Sequence, residues 1–261
     1  MNSITIIENL YNIKFGSESR LLSDNIESIF AGDLNNVNFN NSILVDIVGL
    51  YYEFVEKDYI KAEEYYLKSI DMNNDEAMNN LGALYYKTNQ IDKMTIYYKR
   101  GAELKNIKCM INLGLYFESV KDYTNMLIWF GTAANFGSSF AMYKLGVYYQ
   151  TIEDTTNMLK WLSLSVENGN PDAMYNLALY HENFKPHIMC DYLKMASDLN
   201  HVKSIRYLGL YELKNVYTKH CGMLRLISAL EIGDYQSFLE LRKIIPHNLE
   251  LFKTLKKNFH D

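Results

Sequence analysis

The chain has 261 residues, enough for two ordinary domains or one long repeat array. At 48% hydrophobic and 22% charged it is a folding sequence, not a disordered tail. A net charge of −5 and a pI near 5.7 argue against nucleic acid as a partner, because phosphate contacts ask for a basic face. No apolar run approaches about eighteen residues, so neither a membrane-spanning segment nor a membrane partner is expected. The opening MNSITIIENLYNIKFG lacks a basic start and is interrupted by Glu8 and Asn9, so no signal peptide is expected either. Cys109, Cys190 and Cys221 are an odd number, which fits reduced thiols in a cytoplasmic setting.

In chain order, residues 1–40 suggest two helices, around 4–13 and 19–31, forming an N-terminal cap. From residue 41 a repeat sets in. Leu-Gly pairs stand at Leu81-Gly82, Leu113-Gly114, Leu145-Gly146 and Leu208-Gly209, with variants at Val48-Gly49 and Leu177-Ala178. The small residue therefore recurs at 49, 82, 114, 146, 178 and 209, with spacings of 33, 32, 32, 32 and 31. Around it runs a stripe at i, i+3, i+4, i+7, as in Met78, Leu81, Gly82 and Tyr85, which is one face of an α-helix, helix A. Eight residues before the small residue stand Asn41, Asn74, Asn106, Ser138 and Asn170, expected N-caps; the sixth repeat has His201 there. Pro171 follows its Asn at the first helical position, where a missing N–H costs nothing.

Helix B of each repeat carries a pair, Tyr65-Tyr66, Tyr97-Tyr98, Trp129-Phe130, Trp161-Leu162 and Tyr192-Leu193. A small residue follows at Ser69, Gly101, Ala133, Ser165 and Ala196. The small positions predict close helix–helix approach, and the aromatics are expected to fill the space between successive repeats. One-residue length changes are placed in the A–B turn, marked by Asp58, Asp92, Asp122 and Asp154 and, in the fifth repeat, by Pro186. Residues 233–261 suggest two further helices as a C-terminal cap, the last opened by Pro246. Arg242, Lys243, Lys253, Lys256 and Lys257 make this stretch locally basic, which a solvated helix face explains. The whole reads as one continuous all-α domain, a right-handed α-solenoid of about six helix-turn-helix repeats over 41–232, capped by helices at both ends. The 27 Asn and 22 Tyr against 3 Pro are what an AT-rich coding sequence produces, as in a giant DNA virus, some intracellular bacteria or some protists; a viral protein would sit in the host cytoplasm.

The strings DEAMNNLGALYYKTN, WFGTAANFGSSFAMYKLGVYY and WLSLSVENGNPDAMYNLALY resemble Sel-one-like repeats, relatives of the tetratricopeptide repeat. The resemblance spans roughly residues 41–232, with an A–B turn of tetratricopeptide length. It implies a non-catalytic scaffold or adaptor that binds a protein or peptide in a concave groove lined by helix A. Counted from the small residue, the groove positions give Asn79, Asn80, Ala83 and Tyr86 in the second repeat, and Ile111, Asn112, Leu115 and Glu118 in the third. The fourth gives Tyr143, Lys144, Val147 and Gln150, the fifth Tyr175, Asn176, Leu179 and Glu182, and the sixth Arg206, Tyr207 and Leu210. Asn80, Asn112 and Asn176 fall where tetratricopeptide repeats often carry an Asn that grips a peptide backbone; the competing reading is that they brace the next helix. Lys144 and Arg206, with Lys108 and Lys203 at the edge, are too few for a two-carboxylate clamp.

No catalytic constellation stands out: there is no G-x-S-x-G elbow and no phosphate-cradling loop, and Glu63-Glu64 reads as a solvated helix face. Neither a cofactor nor a bound metal is expected. The nearest approach to a metal site is His181, His187 and Cys190, with His220-Cys221 beyond, and it keeps an enzyme or metal-dependent protein as the alternative. Helical-repeat binding of RNA is a third reading, which the acidic charge disfavours. His181 stands where other repeats have Tyr, Cys190 is read at the place of Met94, Met126 and Met158, and Cys109 replaces the Ala of Ala141 and Ala173, so core packing accounts for them.

Overall fold

The computed structural model describes residues 20–35 and 37–244. The expected helix at 4–13 and the one opened by Pro246 lie outside the described residues. The helices are α1 (Arg20–Phe30), α2 (Ser42–Tyr51), α3 (Tyr59–Asp71), α4 (Asp75–Lys87), α5 (Ile91–Glu103), α6 (Ile107–Ser119) and α7 (Tyr123–Asn135). They continue with α8 (Ser139–Thr151), α9 (Thr155–Glu167), α10 (Pro171–His181), α11 (Pro186–Asp198), α12 (Val202–Glu212), α13 (Lys219–Glu231) and α14 (Tyr235–Ile244). Even-numbered α2 to α12 are the A helices and odd-numbered α3 to α13 the B helices. No strand occurs among the described residues, and neighbouring helices pack in pairs, as an α-solenoid repeat requires.

The helices form two compact units, one up to Phe136 and one from Gly137. In the first, α1 lays Ile26 and Ile29 on Leu44, Ile47, Val48 and Tyr51 of α2. In the second, Met158, Leu162, Ala173 and Leu177 form one core cluster, Ala178, Met189, Leu193 and Leu208 a second. At its C-terminal end Leu241 of α14 packs on Leu226 and Leu230 of α13.

All five expected N-caps hold. Asn41 accepts from the backbone N–H of Ile43 and Leu44, Asn74 from Glu76, Asn106 from Cys109, Ser138 from Ala141 and Asn170 from Ala173. Asp58, Asp122 and Asp154 cap α3, α7 and α9; Asp92 instead sits inside the first turn of α5, behind Gln90. Most of the repeat helices are stopped by single left-handed residues. After helix B these are Asn73, Lys105, Gly137, Gly169, Asn200 and Gly233, and after helix A Lys57, Asn89, Lys121 and Glu153.

The aromatics act within repeats as well as between them. Each second member of a helix-B pair covers the small residue of its own repeat, while Tyr98 and Leu193 also face the next A helix. A Cβ on Gly49 would stand 2.6 Å from the Tyr66 ring, one on Gly82 2.4 Å from Tyr98, and one on Gly114 2.5 Å from Phe130. First members stack inside the repeat too: Tyr65 lies 5.4 Å from Tyr52, Tyr97 5.6 Å from Tyr85, and Tyr192 6.1 Å from His181. The helix-B small residue brings successive repeats closest: a Cβ on Gly101 would lie 2.4 Å from Sγ of Cys109 in the next A helix. The extra residue of the first repeat is not in the A–B turn but in a π-helical turn, Tyr52–Glu56, that ends its helix A.

Candidate functional site

In the first unit the A helices meet through polar side chains that sequence spacing alone does not connect. Asp46 of α2 is fully buried and its Oδ2 accepts from Nδ2 of Asn80 in α4 at 2.8 Å. Asn79 Oδ1 accepts from Nδ2 of Asn112 in α6 at 2.8 Å, and Asn79 Nδ2 donates to Asn80 Oδ1 at 3.4 Å. Three consecutive A helices are thus pinned by one amide–carboxyl chain. Asp46 Oδ1 has no hydrogen-bond partner. Burial pushes this carboxyl well above the usual carboxylate range, and the bond from Asn80 offsets that only in part. Glu53, also buried, accepts from the Tyr66 hydroxyl at 2.8 Å and from Lys87 Nζ at 3.2 Å.

Beside this chain lies a cavity of about 170 Å³ lined by Tyr86, Met94, Tyr98, Asn112, Leu115 and Tyr116. The Tyr86 and Tyr116 rings meet edge to face, with centroids 6.5 Å apart. Tyr98 is only 4% exposed, and its hydroxyl makes no hydrogen bond among the described residues. The space is that of one aromatic ring or branched aliphatic side chain; a cavity of roughly 150 Å³ holds benzene. Two expected groove residues, Tyr86 and Asn112, and Leu115 come together here. Asn79 and Asn80 lie beneath, almost wholly buried and committed to neighbouring helices. Ile111 and Glu118 are half-buried elsewhere on α6.

In the second unit, Tyr143 packs against the core cluster of α9 and α10. Tyr175 lies between the His201 and Tyr207 rings, at 5.5 and 6.2 Å. Tyr207 donates its hydroxyl to Glu182, and Arg206 pairs with Asp234 at 2.6 Å. Lys144 is half-buried and Gln150 exposed. Asn176 is half-buried and, unlike Asn80 and Asn112, has no side-chain hydrogen bond among the described residues.

No protein-family model matches the chain, and no curated protein resembles it in sequence. Solved structures do resemble it. A Sel1 repeat protein from Oxalobacter formigenes superposes with a TM-score of 0.60 at 19% identity, over 79% of this chain and 90% of that one. Yeast Tom70 gives 0.57 at 13% identity, over 90% of this chain and 56% of that one. The C-terminal part of a tetratricopeptide repeat-containing protein from Cytophaga hutchinsonii gives 0.51 at 13%, over 92% and 98%. The fold is a Sel1-like, tetratricopeptide-like helical repeat.

Within that repeat, the His/Cys group is dispersed. His181 stacks on Tyr192, His187 is exposed, Cys190 is half-buried against the α10–α12 cluster, and Cys221 is exposed. Among the described residues no three His, Cys, Asp or Glu gather as a metal site. The position of Met94, Met126 and Met158 is taken by Met189, fully buried, not by Cys190; the register is one residue off from the sequence expectation. Cys109 is fully buried, as its place in the Ala stripe demands, and burial pushes its thiol up to about 12. No described helix is long and apolar enough to cross a membrane.

Sequence reasoning missed Asp46, Met94, Tyr98 and Tyr116. Asp46 had a signal, a lone carboxylate in the apolar run SILVDIVGLY. Met94 and Tyr98 had none, because helix B was assigned wholly to the core.

Proposed function

We propose that the protein is a non-catalytic interaction scaffold whose A-helix surface takes a peptide or helix of a partner protein. The cavity between α4, α5 and α6 carries this reading, because it offers an apolar socket, a free hydroxyl on Tyr98 and the uncommitted Oδ1 of Asn112 within one lining. A partner side chain fills the socket, and the amide and hydroxyl take up polar groups of its backbone. Tyr86, 53% exposed, is the aromatic anchor at its rim. On the second unit, Asn176 with Tyr175 on the same helix is the corresponding recognition point, and Tyr143, Lys144 and Gln150 line the neighbouring helix. Yeast Tom70 is among the structures of this fold, but at 13% identity its likeness speaks for the fold alone.

The test is selection of a displayed random peptide library on the full chain, followed by binding to Leu115→Trp and Tyr86→Ala. Leu115→Trp fills the socket without touching the buried amides, and a circular dichroism melt checks that it folds. Peptides sharing one bulky apolar residue, bound by the wild type and lost on folded Leu115→Trp, support the reading. Selected peptides indifferent to both substitutions refute the socket, and an unenriched library refutes peptide binding altogether.

A further inference from the structure

The A–B turns of the first four repeats are alike: a left-handed residue ends helix A, and in three of them an Asp caps helix B. The turns of the last two repeats, at 182–185 and 213–218, abandon that design. Neither contains a positive-φ residue, and the residues before α11 and α13, Lys185 and Thr218, make no side-chain cap bond. In exchange these turns carry three of the four most exposed large apolar side chains among the described residues: Phe184 at 79%, Val216 at 86% and Tyr217 at 95%. A local sequence that forgoes capping while holding apolar side chains in water is inconsistent with folding alone.

The two turns share one edge of the second unit. α11 and α12 run antiparallel through a short turn, which sets the start of α11 beside the end of α12. The Tyr207 hydroxyl reaches from α12 to Glu182. Around the apolar tips the exposed charges are mostly basic: Lys185, Lys214 and Lys219, with His187 and His220 beside them, against one exposed acid in the turns, Glu182. Glu182 accepts from the Tyr207 hydroxyl and keeps its charge, whereas Glu212 is paired with Arg225 Nε at 2.9 Å. The sequence bears out the asymmetry: residues 1–136 hold 12 Lys and Arg against 18 Asp and Glu, residues 137–261 hold 14 against 13.

We infer that this edge docks on an anionic lipid surface, with Phe184, Val216 and Tyr217 entering the headgroup layer and the three lysines meeting lipid charge. Aromatic side chains with a polar tip settle at such an interface, and flanking lysines reach back to headgroups. The tips protrude instead of lining a groove, so they suit a deformable bilayer better than a rigid acidic protein. Docking of this kind needs no spanning segment, which is why the absence of a long apolar run in the sequence does not bear on it.

The test is co-sedimentation of the full chain with phosphatidylcholine vesicles, with and without phosphatidylserine. Two variants are compared, Phe184→Ser/Val216→Ser/Tyr217→Ser and Lys185→Gln/Lys214→Gln/Lys219→Gln. All six side chains are exposed, so both variants keep the fold. Binding is expected only with phosphatidylserine, weakened by salt, and reduced roughly 100-fold by the lysine variant. The apolar variant is expected to lose binding to a similar degree. Equal binding to both vesicle types, or none to either, overturns the inference. Dependence on the lysines alone overturns insertion. If polyglutamate binds with the same residue dependence while vesicles do not, the partner is an acidic protein segment and the lipid assignment falls.

Discussion

Gly114→Ala tests how a repeat is closed. The new Cβ would stand 2.5 Å from Cε1 and 2.6 Å from Cδ1 of Phe130, where carbon atoms rest at about 3.5–4.0 Å. Phe130 is fully buried, so its ring must move by about 1 Å into a packed interior. Overpacking of this kind costs about 1–3 kcal/mol, against a helix-propensity gain of up to about 1 kcal/mol for replacing Gly. Net destabilisation of about 1–2 kcal/mol is expected. Gly131→Ala is the matched control: it lies in α7, a Cβ there meets nothing within 4 Å, and a gain of about 0.5–1 kcal/mol is expected. The chain also contains its own rescue, because the fifth repeat pairs Ala178 with Leu193, both fully buried in one cluster. Adding Phe130→Leu to Gly114→Ala should therefore recover at least about 0.5 kcal/mol as coupling in a double-mutant cycle. Urea unfolding followed by Trp129 fluorescence, next to Phe130 in α7, reports on the right unit once Trp161 of the second unit is replaced by Phe. Gly114→Ala as stabilising as Gly131→Ala, with no coupling to Phe130→Leu, would refute the closure argument.

Asp46→Asn is expected to stabilise the protein at neutral pH, since the amide keeps an oxygen for Asn80 and avoids the cost of burying an ionisable carboxyl. The folded pKa of Asp46 is raised, so its stability contribution is complete below the unfolded pKa and lost as pH rises towards the folded value. Urea midpoints against pH should fall over that range in the wild type and flatten in Asp46→Asn; parallel profiles would count against the assignment. Lys121 is an exposed residue at φ 60° in the turn between α6 and α7, and Lys121→Gly should add about 0.5–1 kcal/mol in the same melts. A destabilised variant would mean that its side chain holds the turn. Native thiol labelling should give one fast group, Cys221, one slow, Cys190, and one protected until unfolding, Cys109; early reaction of Cys109 would contradict its burial.

The sequence alone determined the parts of this protein that depend on near neighbours. The repeat period, the A and B helices and five N-caps follow from 3.6-residue periodicity and from short polar side chains reaching the next helical turn, interactions that span three or four positions. Gly at the A-helix crossing was legible because a missing side chain signals close approach. What covers each Gly was not, since Tyr66, Tyr98 and Phe130 arrive from the following helix and their direction depends on helix rotation. The asparagines show the limit most sharply. Asn80 and Asn112 have the same place in the repeat, yet Asn80 is buried against Asp46, 34 residues upstream, while Asn112 reaches a cavity. Asn176, in the same place again, has no side-chain hydrogen bond among the described residues. Identical local sequence positions acquired three roles because the partner across the helix interface differs each time, and only the tertiary structure brings that partner within hydrogen-bonding distance.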